Sequence, residues 1–294
     1  MTVVATSLVE AIVLGIVQGL TEFLPISSSG HLILVPWLLG WDEPGIGFDA
    51  ALHLGTLVAV FAYFRVELLR IVRSIPLALR RPLAVVRGDD PGDEPLFADA
   101  RLGFYLIVGS VPGGVAGVAL QGGIDDFFHD DGHIGRAIAV IAVLLALFAL
   151  VLLLAERTAS RRRSLADVCI VDAVVVGIAQ AVALAPGVSR SGITLSAGLF
   201  RGMNRGDAAR FSFLLGLPLV LAAGLKGLLD LLQGDAGDVS TSTILVGILV
   251  SGVVGFAAIW ALLRFLQRSS ATVFVAYRIA AAAAVLVILA TSWR

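Results

Sequence analysis

The sequence predicts an all-α polytopic membrane protein of about ten helices, six of them transmembrane spans and the others forming two re-entrant helical hairpins, in two inverted-topology repeats. Three observations predict this. The 294-residue chain is 58% hydrophobic and 15% charged, against about 45–50% and 25% in a soluble domain. Its apolar segments repeat at lengths near those that cross about 30 Å of hydrocarbon. Two further apolar regions are interrupted by polar loops of similar sequence, PISSSGH at 25–31 and PGVSRSG at 186–192.

The spans are read at roughly 48–64, 103–121, 136–155, 211–232, 243–265 and 272–291. The interrupted regions are 8–40 and 168–200, each broken near its middle by Pro, Gly and Ser. Arginines crowd into 65–101, 156–167, 201–210 and 264–271, which marks these connections as cytoplasmic. The connections at 41–47, 122–135 and 233–242 carry no Lys or Arg. The loop at 122–135 has Asp125, Asp126, Asp130 and Asp131 instead, and faces outward. Six spans thread through these loops only if both interrupted regions enter and leave on one side, the first from outside and the second from inside.

The two hairpins also match in sequence. LGIVQGLTEFLPISSSGHLIL at 14–34 resembles VGIAQAVALAPGVSRSGITL at 176–195, pairing Gly15 with Gly177, Gln18 with Gln180, Pro25 with Pro186 and Gly30 with Gly192. One hairpin plus three spans therefore occurs twice, at about 8–155 and 168–291, joined by a cytoplasmic linker at 156–167 within one integral membrane domain, 1–294. Three spans is an odd number, so the second copy is inverted relative to the first, a plan common among transporters. Broken helices at membrane depth survive where protein or a polar cavity satisfies the freed backbone, so the two loops are expected to line one cavity.

Other features narrow the class. The single Cys169 excludes an intramolecular disulfide and a cysteine metal cluster, and is read as packing. A net charge of −1 offers no basic surface for nucleic acid. The N-terminal residues show no removable signal peptide.

Chemistry concentrates in the loops. Gln18 and Glu22 are one helical turn apart, above the break at Pro25. Ser27, Ser28, Ser29 and Gly30 supply hydroxyls and amides, and His31 opens the next half-helix. In the second loop Gly187, Ser189, Arg190 and Ser191 precede a half-helix containing Thr194. Free amides at a helix start, with a guanidinium, form a cradle for an anion. Serines alone are most simply caps and packing contacts. Glu22, His31 and Arg190 together are costly at membrane depth and carry the functional signal. His53 and Asp49 are read either as a solvated helix entrance or as support for the site. Lys226 and Arg278 are read as snorkelling cations near span ends, and Arg161 to Arg163 as a topology signal that meets anionic lipid.

QGLTEFLPISSSGH, followed far downstream by PGVSRSGIT, closely resembles the two motifs of the undecaprenyl-pyrophosphate phosphatase family, also called bacitracin-resistance proteins. The resemblance covers essentially the whole chain. It implies a bacterial plasma-membrane hydrolase that converts the C55 polyprenyl diphosphate to its monophosphate, recycling the lipid carrier of cell-wall synthesis. The implied partners are that lipid substrate, membrane lipids and, as a candidate assembly, a homodimer. It implies functional roles for Gln18, Glu22, Ser28, His31, Ser189 and Arg190. With the loop reading above, Glu22, Ser28, His31 and Arg190 are expected to be catalytic, and Gln18, Ser27, Ser29, Gly30, Gly187, Ser189, Ser191 and Thr194 to bind substrate. The resemblance also implies a divalent cation, Mg²⁺ or Ca²⁺, on Glu22. Many members carry Glu where this chain has Gln18, which removes one acidic ligand. Arg190 would clamp the diphosphate, while Ser28, His31 or a water attacks it. Glu22 would orient His31 or hold the metal. The first hairpin's entry from outside predicts a cavity open to the periplasmic or extracellular side. A lipid-phosphate transporter or flippase is the alternative, because such carriers share broken helices and inverted repeats.

Overall fold

The computed structural model describes residues 6–42, 45–87, 95–129, 132, 134–233 and 239–291. They form α1 (Leu8–Thr21), α2 (Ser28–Leu39), α3 (Ile46–Tyr63), α4 (Arg65–Arg80), α5 (Pro82–Arg87), α6 (Pro95–Phe128), α7 (Ile134–Thr158), α8 (Ile170–Val182), α9 (Arg190–Phe200), α10 (Arg205–Gln233), α11 (Thr241–Arg268) and α12 (Thr272–Ala290). Five of these helices, α6, α7, α10, α11 and α12, are long and apolar enough to cross a membrane. The pair α3 and α4, bent by 78°, makes a sixth when the two are counted as one broken span. The chain is an all-α polytopic membrane protein.

The helix number exceeds the expectation because the arginine-rich segment after residue 64 is itself helical. In α4, Leu68, Ile71 and Ile75 recur at helical spacing, so one apolar stripe packs on α6 while the arginines lie elsewhere on the helix. The acidic residues Asp130 and Asp131 and the side chain of Lys226 fall outside the described residues.

At 12–14 residues, α1, α2 and α8 are too short to span alone, and α9 has 11. Each pair, α1 with α2 and α8 with α9, closes into a hairpin, and the packing is exchanged between the halves of the chain. Helix α1 lies on α11, and α8 lies on α6. A Cβ at Gly15 would sit 2.9 Å from the Gly247 carbonyl oxygen, and one at Gly177 only 2.3 Å from that of Gly109. Glycine at these matched positions is what lets the helix backbones touch. Matched hydrogen bonds run alongside: Ser251 donates to the Leu52 carbonyl at 2.8 Å and Ser110 to that of Leu215 at 3.2 Å.

The linker is pinned rather than free. Buried Glu156 accepts from Arg205, Arg161 and the Ala271 amide, while fully buried Asp172 accepts from Arg163 at 2.6 Å and Arg201 at 2.6 Å. A bridge between Arg163 and Met203 ties it to the segment after α9. The bonds to Asp172 push the Arg163 guanidinium above its ordinary pKa, and the Ser164 amide and hydroxyl hold exposed Asp167 below its own. Arg161 and Arg163 are thus partners of buried acids, a role that their reading as a topology signal did not include. Only Arg162 of the three is exposed.

Candidate active site where the hairpins meet

Glu22 caps the end of α1, its amide donating to the Gln18 carbonyl, and the chain then breaks through Pro25. Ser27 restarts it as the N-cap of α2 at φ +80°, and its hydroxyl accepts from the Gly30 amide. The second hairpin repeats the device, with Ser189 at φ +72° accepting from the Gly192 amide at 3.2 Å. Non-glycine residues in this left-handed region cost on the order of 1–3 kcal/mol each and cluster at functional sites. Here the strain starts α2 at Ser28 and α9 at Arg190, both next to the break.

The two breaks touch. The Gly187 amide donates to the Ser27 hydroxyl at 3.0 Å, and the Ser191 hydroxyl donates to the Leu24 carbonyl at 3.0 Å. Thr194 donates to the Arg190 carbonyl at 2.6 Å. Ser27, Gly187, Ser189, Ser191 and Thr194, all expected near substrate, therefore lie around the break, with these groups engaged in joining and capping the hairpins. Gly30 backs onto the Gly187 amide, and Ser29 is partly exposed in the first turn of α2.

Glu22 is the hub. Its Oε1 accepts from Arg190 Nη2 at 2.7 Å, and its Oε2 accepts from Ser28 Oγ at 2.7 Å and Gln18 Nε2 at 3.3 Å. His53 Nε2 stands 3.6 Å from the same Oε2, its Nδ1 held 2.8 Å from the Asp49 carbonyl. His53 thus reaches the cluster from α3. Two polar atoms within it are buried and unpartnered: Gln18 Oε1 and Arg190 Nη1. Such orphans are rare in native proteins and call for a water, an ion or a ligand as partner. One can accept and the other donate. Arg190 also needs Gly216 on α10, because a Cβ there would fall 1.4 Å from Nη1.

His31 follows a different plan from the expected one. Its Nδ1 lies 2.7 Å from the Ser27 carbonyl oxygen and its Nε2 2.7 Å from the Tyr277 hydroxyl, so Glu22 does not orient it. Arg278 overturns its snorkelling assignment outright: it is 0% exposed. It donates to the carbonyls of Leu145, Pro25, Gly187 and Val188 at 3.0, 3.3, 2.8 and 3.0 Å. One guanidinium thereby grips both breaks. Nothing in the local sequence of α12 marks Tyr277 or Arg278 as part of the site. The only signal was an arginine seven residues into an otherwise apolar helix, too close to its end to exclude snorkelling.

A buried carboxylate, a hydroxyl bonded to it and a guanidinium with spare donors, set between broken helices of a polytopic membrane protein, define a membrane-embedded site with the chemistry to bind an anionic group. Comparison with known proteins gives the family. The sequence profile of the family described as "Bacitracin resistance protein BacA" matches residues 11–284, and the chain belongs to that family. An undecaprenyl-diphosphatase of Thermomicrobium roseum is 49% identical over 273 residues, covering 92% of this chain and 94% of that one. A Synechococcus protein (strain CC9902) of the same name is 47% identical over 289 residues, 97% and 96% of the two chains. One from Moorella thermoacetica is 44% identical over 282 residues, 96% and 98%.

Proposed function

We propose that this chain is an undecaprenyl-diphosphatase, hydrolysing undecaprenyl diphosphate to undecaprenyl phosphate and inorganic phosphate and so returning the lipid carrier to peptidoglycan synthesis. The observation that carries this reading is the Ser28, Glu22 and Arg190 cluster, assembled from both hairpins and bonded at 2.7 Å on each side of one carboxylate. The names of the relatives supply the substrate.

The hydroxyl bonded to a carboxylate is a nucleophile beside its base. Ser28 Oγ attacks the terminal phosphorus as Glu22 takes its proton, and the bond to the bridging oxygen breaks, releasing the polyprenyl monophosphate. Water then cleaves the phosphoserine, with inorganic phosphate as product. Arg190 stabilises the charge that develops on the phosphoryl oxygens. His31 serves as the proton-transfer group for leaving group or water, which must displace the Tyr277 hydroxyl from Nε2 or act through it. Direct attack by water, with Glu22 and His31 as bases, is the competing route.

For a divalent cation the donor set fits in part. Glu22 offers a carboxylate and Gln18 Oε1 an unspent amide oxygen on the same helix face, and Mg²⁺ typically takes one or two carboxylates plus substrate phosphates. A bound cation would neutralise phosphate charge there. Among the described residues no group of three acidic, histidine or cysteine side chains forms a metal cage, so the substrate has to supply ligands.

The distribution of arginines supports a bacterial plasma-membrane setting with the cavity open to the periplasmic or extracellular face, and the exchanged packing of α1 and α8 supports two inverted repeats. That same exchange favours a second reading, lipid-phosphate translocation. Phosphate release from undecaprenyl diphosphate by purified protein, abolished in Ser28→Ala, is the deciding measurement. A protein that releases no phosphate under any divalent-ion condition is not a diphosphatase. A radiolabelled phosphoryl group retained after acid quench supports the covalent route, and none retained in rapid-quench time courses favours water.

A further inference from the structure

Both nitrogens of His31 are engaged, and their partners are of different kinds. Nδ1 faces the Ser27 carbonyl at 2.7 Å, an oxygen that only accepts, so Nδ1 carries the ring proton. Nε2 of the neutral ring is then the lone-pair nitrogen, and the group 2.7 Å from it, the Tyr277 hydroxyl, must donate. The two rings lie nearly parallel, 17° apart with centroids at 5.7 Å. Tyr277 stands beside Arg278 on α12, so the helix that grips both chain breaks also reaches the imidazole. The Ser27 carbonyl is fixed in turn, since the Ser27 side chain is tied to Gly187.

We propose that Tyr277 is a positioning residue for His31, holding the imidazole with Nδ1 protonated and Nε2 as its one basic nitrogen. A phenol hydroxyl suits this task in both charge states. It donates to Nε2 of the neutral ring; when the proton arrives through the hydroxyl, the phenol passes its own proton to Nε2, takes one from the reacting side, and then accepts from Nε2–H. The same contact then serves His31 before and after a proton moves. Phenylalanine would keep the stacked ring and lose only this bond. The importance of the contact for turnover rests on the reading of His31 as the proton-transfer group. The contact itself does not.

The test is nitrogen NMR on protein labelled with ¹⁵N-histidine, with the His31 resonances identified by their absence in His31→Gln, alongside steady-state kinetics on undecaprenyl diphosphate. The wild type is expected to show a protonated Nδ1 and a hydrogen-bonded, imine-type Nε2. In Tyr277→Phe the Nε2 resonance moves downfield, toward an unbonded imine nitrogen, while kcat falls about tenfold and KM stays within about twofold, the split expected when proton transfer and not binding is impaired. A wild-type spectrum with Nε2 protonated, or with a free imine nitrogen, overturns the proposal without any variant. So does a Tyr277→Phe protein in which the Nε2 resonance and kcat are both unmoved. Full turnover in His31→Gln, with the wild-type spectrum as expected, sinks the proton-transfer role of His31 while leaving the contact with Tyr277 standing.

Discussion

Replacing Arg278 by methionine removes a guanidinium of similar length and leaves the apolar stem. In the folded protein the arginine makes four hydrogen bonds at 3.3 Å or less, to Leu145, Pro25, Gly187 and Val188. Hydrogen bonds to a charged group contribute about 1.5–3 kcal/mol each, and burying the cation without a carboxylate takes back several kcal/mol of that. The variant is left with carbonyls that have lost their donor at membrane depth, each costing about 1–3 kcal/mol, and relief of the buried cation's desolvation offsets part of the sum, for a net loss of about 3–5 kcal/mol. That corresponds to a Tm lower by on the order of 10 °C. The assay is thermal unfolding in detergent beside phosphate release at a temperature where the variant stays folded. Turnover should fall as well, because three of the four carbonyls belong to the breaks that set Ser28 and Arg190. Arg278→Lys should be intermediate, since an ammonium cannot reproduce the planar fork. Arg264, exposed and stacked 5.0 Å from the Trp260 ring, is the control. Its replacement by methionine should cost no more than about 1 kcal/mol. An Arg278→Met protein as stable as the Arg264→Met control would refute the argument that this residue braces the two breaks.

Gly216→Ala should reduce turnover as severely as Arg190→Ala while α10 stays helical by circular dichroism, because the added methyl displaces the guanidinium and not the backbone. Arg190→Lys should lower kcat by at least about 100-fold, the scale of losing one preorganised donor, and a kinetic assay within tenfold of wild type would contradict the clamp. Gln18→Glu should lower the Mg²⁺ or Ca²⁺ concentration needed for half-maximal phosphate release, by placing a second carboxylate one turn from Glu22. An unchanged metal titration would argue against a cation at this end of α1.

The membrane class, the positions of the long helices and the two broken hairpins were legible in the sequence because each depends on local properties: apolar run length, arginine placement, and proline or glycine interruptions. The pairing of Gly15 with Gly177, visible as a repeat, reappears as two of the places where helix backbones touch. The motifs likewise named Glu22, Ser28 and Arg190, which the fold brings together. Three things were decided only by the tertiary structure. Arg278 and Tyr277 enter the site from the last helix, 253 and 246 positions away from their partners Pro25 and His31. His53 comes to Glu22 from α3. Arg161 and Arg163, read from the sequence as a topology signal, are paired with buried Glu156 and Asp172. The reason is common to all three. Whether a charged side chain faces lipid, water or a buried partner depends on which helix lies opposite, and that is fixed by packing between segments far apart in the chain.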